Sequence, residues 1–150
     1  MKAMDSQAQS TPVSEDMIHF HLESMRSVIE RMAANSESSK TWCISLVSAI
    51  IVVVSEEKTP RLIWLALLPA IMFFVLDVYY LSLECGFRAS YSKFVKKLRN
   101  SSLGLDDLYL FDPGDVGDQV IKAISSFSIW PFYGLLTGGI ILMAFLLDPR

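Results

Sequence analysis

Cysteine is scarce in this chain: Cys43 and Cys85 are the only two among 150 residues. They are separated by a whole predicted helical hairpin, and both fall near the inner membrane face on the topology derived below, where thiols stay reduced. No disulfide is expected, and both read as small apolar fillers. Charge is sparse as well, at 19% of residues with a formal net charge of −3. No basic excess points to nucleic acid. The sequence has no glycine-rich phosphate loop, no nucleophile with a base and orienter at usable spacing, and no metal-ligand cluster, so neither a cofactor nor an enzymatic reaction is expected. Residues 1 to 16, "MKAMDSQAQSTPVSED", lack an apolar core followed by a small-residue cleavage site, so no cleaved leader is expected.

What the chain has in quantity is apolar surface. Hydrophobic residues make up 52% of it and the mean hydropathy is +0.40, too apolar for a soluble domain of this length. The apolar residues fall in three blocks, a membrane signature. Residues 1 to 14 read as a flexible polar tail. Ser14 then has the character of an N-cap, with Glu15 and Asp16 in the first turn where a helix favours negative charge. Ile18, Leu22, Met25, Ile29 and Met32 step by fours and threes, which predicts an amphipathic helix over 15–40 whose seam packs on another part of the protein or on a sister chain.

"TWCISLVSAIIVVV", residues 41 to 54, is short for a span. An uncharged turn at "NS", a snorkelling Lys40 and the polar link "SEEKTP" into the next block support a first transmembrane helix over 41–55. The second span covers 62–83, with Pro69 tolerated inside it by neighbouring helices. Its periodicity continues through Phe87, Tyr91, Phe94 and Leu98, predicting a helical extension over 84–99 with Gly86 as its weak point, so that 41–99 forms one hairpin. Residues 100–122 read as a loop, with "LYLF" as a short extended piece and "DPGD" as a tight turn. The last segment, 123–150, contains the third span, about 129–147, with Trp130 and Tyr133 at interfacial depth and Pro131 in the first turn, and a short tail.

Orientation follows from the cations flanking the spans. Arg26, Arg31, Lys40, Arg88, Lys93, Lys96, Lys97, Arg99 and Lys122 lie on one side, against Lys58, Arg61 and Arg150 on the other; Lys2 is too distant to count. The N-terminus and the long connection are placed in the cytoplasm and the C-terminus outside the inner membrane. The expected fold is therefore an all-α membrane protein: three transmembrane helices, with cytosolic extensions of the first two forming an antiparallel stalk.

The anomaly is Asp77, inside the second span. A charge at mid-membrane costs about 3 kcal/mol on insertion scales, so the carboxylate must turn from lipid toward a donor or a wet cavity. Levelling Leu83 with Lys40 puts Asp77 opposite about residue 46, near Ser45 and Ser48; the serine hydroxyls, Lys40 or the Tyr80 hydroxyl are the candidate donors. Ser38, Thr41, Ser45, Ser48 and Ser55 form one polar stripe. Two readings compete: a small-residue packing face, or the lining of a pore with Asp77 at its inner mouth. Glu84 and Arg88 make an i,i+4 pair, either a surface ion pair or part of a gate with Asp77 and Lys40.

His19 and His21, two apart, point in nearly opposite directions on a helix and share no metal; they read as surface or packing residues. Asp112, Asp115 and Asp118 miss calcium-loop spacing and read as solvated turn residues. "KFVKKLR" is a basic turn that anionic lipid explains. Gly134 and Gly138 form a GxxxG suited to close helix contact, and with Ile18, Leu22, Met25 and Ile29 they are the oligomerisation candidates.

The layout over about residues 15 to 99, with "LDVYYLSLECGFRASY" its most suggestive stretch, resembles the small membrane effectors of prokaryotic antiphage systems, including the SLATT-like group. The resemblance implies a homo-oligomer that breaches the inner membrane when a partner senses infection; the third span departs from that group's two-span plan. The function expected is a homo-oligomeric protein that forms or gates a pore, or perturbs the membrane, on a cytosolic signal. The rival is a non-conducting anchor or regulatory subunit for a cytosolic partner protein.

Overall fold

The computed structural model describes residues 14–57, 59–108 and 111–147. Expectations that fall on residues 1–13, Lys58, Tyr109, Leu110 and 148–150 lie outside them, including nearly all of the tail and the middle of "LYLF". The described residues are all-helical, without strands.

Helix α1, Glu15–Glu56, is one unbroken helix of 42 residues, about 63 Å at 1.5 Å per residue. The Ser14 side chain accepts from the Met17 backbone N–H at 3.3 Å, so the predicted cap is in place. The helix passes through Asn35 and Ser36 without a break; Ser36 and Ser39 are buried, and the Ser39 hydroxyl donates to the Asn35 carbonyl. A 3₁₀ segment, Pro60–Ala66, leads into α2, Leu67–Arg99. Pro69 thus stands in the first turn of α2, where backbone N–H groups have no helical acceptor, and not in the helix interior. At the far end of α2, Ser101 takes a left-handed φ of 52°, and the Ser101 and Ser102 N–H groups return to the Leu98 and Lys97 carbonyls. That pairing closes the helix as a glycine-ended C-cap does.

The contacts between α1 and α2 run in opposite order along the two helices. Cys43 Sγ lies 4.0 Å from the Pro69 carbonyl, Lys40 meets Asp77, and Met25 packs with Phe94. Met25 is buried and Ile29 nearly so, while Ile18 and Leu22 cover the Met25, Phe94 and Leu108 cluster from one side. Of the two partners expected for the seam, another part of the protein or a sister chain, it is the former that the structure shows. Burying each large apolar side chain stabilises by about 1.5–3 kcal/mol relative to exposure, and α2 supplies the facing apolar row.

The connection is less of a loop than expected. Leu105–Leu108 is a 3₁₀ turn, so the start of "LYLF" is helical and not extended. Val116–Ile124 is a helix, α3, capped by Asp115, whose side chain accepts from the Gly117 N–H. Its glycine and aspartates read as breakers, but in the structure they begin the helix. Gly114, at φ +74°, makes the turn before it. Gly86 corrects another expectation: it is buried inside a continuous α2, and a β-carbon there would overlap the Pro113 carbonyl oxygen and lie 2.9 Å from Pro113 Cβ. The missing side chain is a notch that seats the connection, not a weak point.

Helix α4, Trp130–Leu147, has 18 residues. Tyr133 and Ile140 join the core formed by Cys43, Val47, Val54, Ile63, Ala70 and Val78. Parts of α1, of the Arg61–Arg99 stretch and of α4 are each long and apolar enough to cross a membrane. Their outward faces carry Val52, Val53, Ile71, Met72, Leu135 and Phe145 uncovered. Contiguous apolar surface of this extent is what lipid covers.

Candidate functional site: a buried ion pair where three helices meet

Asp77 is wholly buried, at 0% exposure. Lys40 Nζ lies 2.8 Å from its Oδ2 and donates to its Oδ1 at 3.0 Å, and the Ser36 hydroxyl donates to Oδ1 as well. Lys40 also reaches the Ser36 oxygen at 3.2 Å, closing a three-membered network between α1 and α2. A carboxylate out of water is tolerated because the Lys40 cation lies against it and Oδ1 accepts from both Lys40 and Ser36, while Oδ2 has the ion-pair contact and no hydrogen bond among the described residues.

The third helix contributes Tyr133. Its ring stands edge-on to Phe74, one turn before Asp77 on α2, with centroids 5.2 Å apart. The Tyr133 hydroxyl is buried near Asp77, without a hydrogen bond of good geometry among the described residues. Tyr133 thus turns inward, whereas Trp130 is largely exposed, with its indole N–H donating to the Ile124 carbonyl at 2.7 Å.

The register differs from the sequence-based expectation. Asp77 sits opposite Ser36 and Lys40 instead of residue 46, because a hairpin's register is set at its turn. Helix α1 ends at Glu56 and the next segment starts at Pro60, so pairing counts down from there and not from matched inner ends. Ser45 and Ser48 are exposed on α1, as are Ser38, Thr41 and Ser55, whereas the hydrogen bonds to Asp77 come from Ser36 and Lys40. Ser45, Thr41 and Ser55 donate back to the carbonyls of Thr41, Glu37 and Ile51. Glu84 and Arg88 form their own pair at 2.7 Å, with Arg88 63% exposed, and do not join the Lys40–Asp77 network. Gly134 and Gly138 face open space, with nothing within 4 Å of an added β-carbon.

Ser36 is readable in the sequence. The apolar seam from Ile18 to Met32, continued at its own spacing, lands on Ser36, Ser39, Cys43, Val47 and Val54, all buried. A hydroxyl inside a packing seam asks for a polar partner. Comparison with protein families, curated proteins and solved structures finds no match. The network therefore stands on its geometry alone.

A second buried polar group lies near the start of α1. His21 is 3% exposed, between Phe94 at 4.5 Å and Phe111 at 4.9 Å. Burial holds its imidazole below the ordinary 6.5, offset in part by a backbone hydrogen bond with Leu108. The unfolded chain thus takes up a proton at pH values where the folded chain does not. Stability is full above pH 6.5 and falls as pH drops below it. Thermal unfolding followed at about pH 7.5 and about pH 5.5 checks this: wild type loses more stability on acidification than His21→Phe.

Outside the spans, Lys97 donates to Asp107 at 2.7 Å, and this hydrogen bond holds the Asp107 carboxyl below its usual value. No group of three or more metal-ligating side chains occurs among the described residues.

Proposed function

We propose that this chain is the subunit of a homo-oligomeric inner-membrane protein whose spans form or gate a pore, or disturb the bilayer, when a signal reaches its cytosolic end. The observation that carries this reading is the set of small-residue faces the single chain leaves uncovered within its spans: Thr41, Ser45 and Ser48 on α1, Gly134 and Gly138 on α4. Apolar helices gain nothing in lipid from such faces unless another helix approaches closely. Sister copies supply that helix.

In this reading the N-terminus and the connection are cytosolic, as the cation distribution favours, and the parts of α1 and α2 beyond the Lys40–Asp77 pair form an antiparallel stalk in the cytosol. Ile121, Ile124 and Phe127 are exposed just before Trp130 and rest at the headgroup level. Lys40–Asp77 then sits where stalk becomes membrane, a position from which it latches α1 to α2. A role as antiphage effector accords with the resemblance in layout and is part of the same proposal.

Reconstituted liposomes test it. Wild-type protein is expected to release a trapped dye or collapse an ion gradient, with Asp77→Ala changing that flux at least about tenfold, the effect of about 1.4 kcal/mol between closed and open states. Tight liposomes, with Asp77→Ala indistinguishable from wild type, overturn the proposal. One observation favours the non-conducting anchor: the Thr41, Ser45 and Ser55 hydroxyls are satisfied on their own helix and need no water. That reading expects tight liposomes together with co-purification of a cytosolic partner.

A further inference from the structure

Asp77 carries its donors unevenly. Oδ1 accepts from both the Ser36 hydroxyl and Lys40, whereas Oδ2 has Lys40 Nζ beside it at 2.8 Å and no hydrogen bond of good geometry among the described residues. On the facing helix the Tyr133 hydroxyl is buried, also without such a bond, and stands within reach of Asp77. One buried atom is an acceptor short of a donor; the other is a donor short of an acceptor. Unpaired buried polar atoms are uncommon in folded proteins, because each forfeits the hydrogen bond it had with water. Here two of complementary kind stand side by side, one on α2 and one on α4.

Both flanks of the carboxylate have freedom to change. Lys40 is 19% exposed, so its stem can carry the ammonium out toward water and away from Asp77. The Tyr133 ring stands edge-on to Phe74 at 5.2 Å and to Phe132 at 4.8 Å. With the ring held in this way, its hydroxyl comes into line with Oδ2 by a small shift of α4, not by a swing of the side chain. Such a shift meets little resistance. Tyr133 and Ile140 are the buried residues of α4, while Leu135, Leu142 and Phe145 face outward and meet lipid in either position.

We propose that Lys40 and Tyr133 are alternative partners of Asp77, which makes the buried pair a two-position latch joining all three helices. With Lys40 on the carboxylate, the Tyr133 hydroxyl is idle. When Lys40 withdraws, the hydroxyl donates to Oδ2 and draws α4 against α2, so release of an ion pair at the cytosolic end of the spans becomes movement of a lipid-facing helix. This deepens the latch reading given above and rests on the position assigned there to Lys40–Asp77. Its test is read from unfolding and from the tyrosine itself, so it fails or stands whether or not the spans conduct.

Full-length protein in detergent, unfolded by denaturant, supplies a double-variant cycle: wild type, Tyr133→Phe, Lys40→Met and the two together. Tyr133→Phe is expected to change the unfolding equilibrium less than about threefold in wild type, where the hydroxyl is idle, and at least about tenfold in Lys40→Met, where it is the donor that takes over. The difference spectrum between each background and its Tyr133→Phe counterpart isolates one of the five tyrosines. By ultraviolet resonance Raman it should show a hydroxyl that becomes a hydrogen-bond donor only when Lys40 is gone. A tyrosine that only packs loses the same factor in both backgrounds and keeps the same spectrum, and either result overturns the proposal. So does a Lys40→Met chain that does not fold, because Asp77 has then found no second donor.

Discussion

Replacing Lys40 with methionine is expected to destabilise the protein by about 3–5 kcal/mol, the cost of stranding a buried carboxylate. Asp77 has no exposure, and among the described residues its hydrogen bonds of good geometry come from Lys40 and the Ser36 hydroxyl. The reverse change is milder. Asp77→Asn keeps the shape and the Ser36 contact, and Lys40, 19% exposed, can carry its ammonium toward water along its own stem. That variant should lose about 1–2 kcal/mol. The asymmetry is the diagnostic, because a simple surface pair would lose under about 1 kcal/mol from either side. Unfolding of detergent-solubilised variants, followed by circular dichroism against denaturant, measures it. The double variant Lys40→Met with Asp77→Leu should recover much of the loss, since a well-packed apolar pair often matches or exceeds a buried ion pair.

Gly86→Ala is the second large effect, and its sign is what tests the structure. In a solvent-exposed helix interior the change stabilises by about 1 kcal/mol. Here the new methyl meets the backbone of Pro113, which cannot swing aside as a side-chain tip does. A net loss of about 1–3 kcal/mol is expected, the usual penalty of overpacking. Residues near Pro113, released from α2, should then become more sensitive to limited proteolysis. A stabilised Gly86→Ala with unchanged proteolysis would show that the connection does not dock in this notch.

The membrane character of the chain is legible because hydropathy and length add residue by residue; Leu62 to Leu83 announces a span without reference to any neighbour. The partner of Asp77 is not legible in the same way. It depends on where α1 stops and the next segment starts, and an error of a few residues at that turn carries through the whole register. Tyr133 reads as an interfacial aromatic because a tyrosine near the end of an apolar run fits that role, and nothing local distinguishes it from one that turns inward to Phe74. Local spacing compares His21 only with His19, two residues away, whereas its neighbours Phe94, Leu108 and Phe111 come from elsewhere in the chain. The α3 helix is hidden in the sequence because aspartate and glycine, which end helices from within, also begin them.

Neither proline nor glycine occurs anywhere in α1, so nothing along its length acts as a joint. A rod of that kind does not absorb displacement; it behaves as a lever. With the pivot at Lys40, a tilt of about 5° moves the tip beside Ser14 by about 3 Å over its roughly 38 Å arm. Small rearrangements around the aromatic end would therefore reach the lipid-facing end as rotation of the whole shaft, without any unfolding in between.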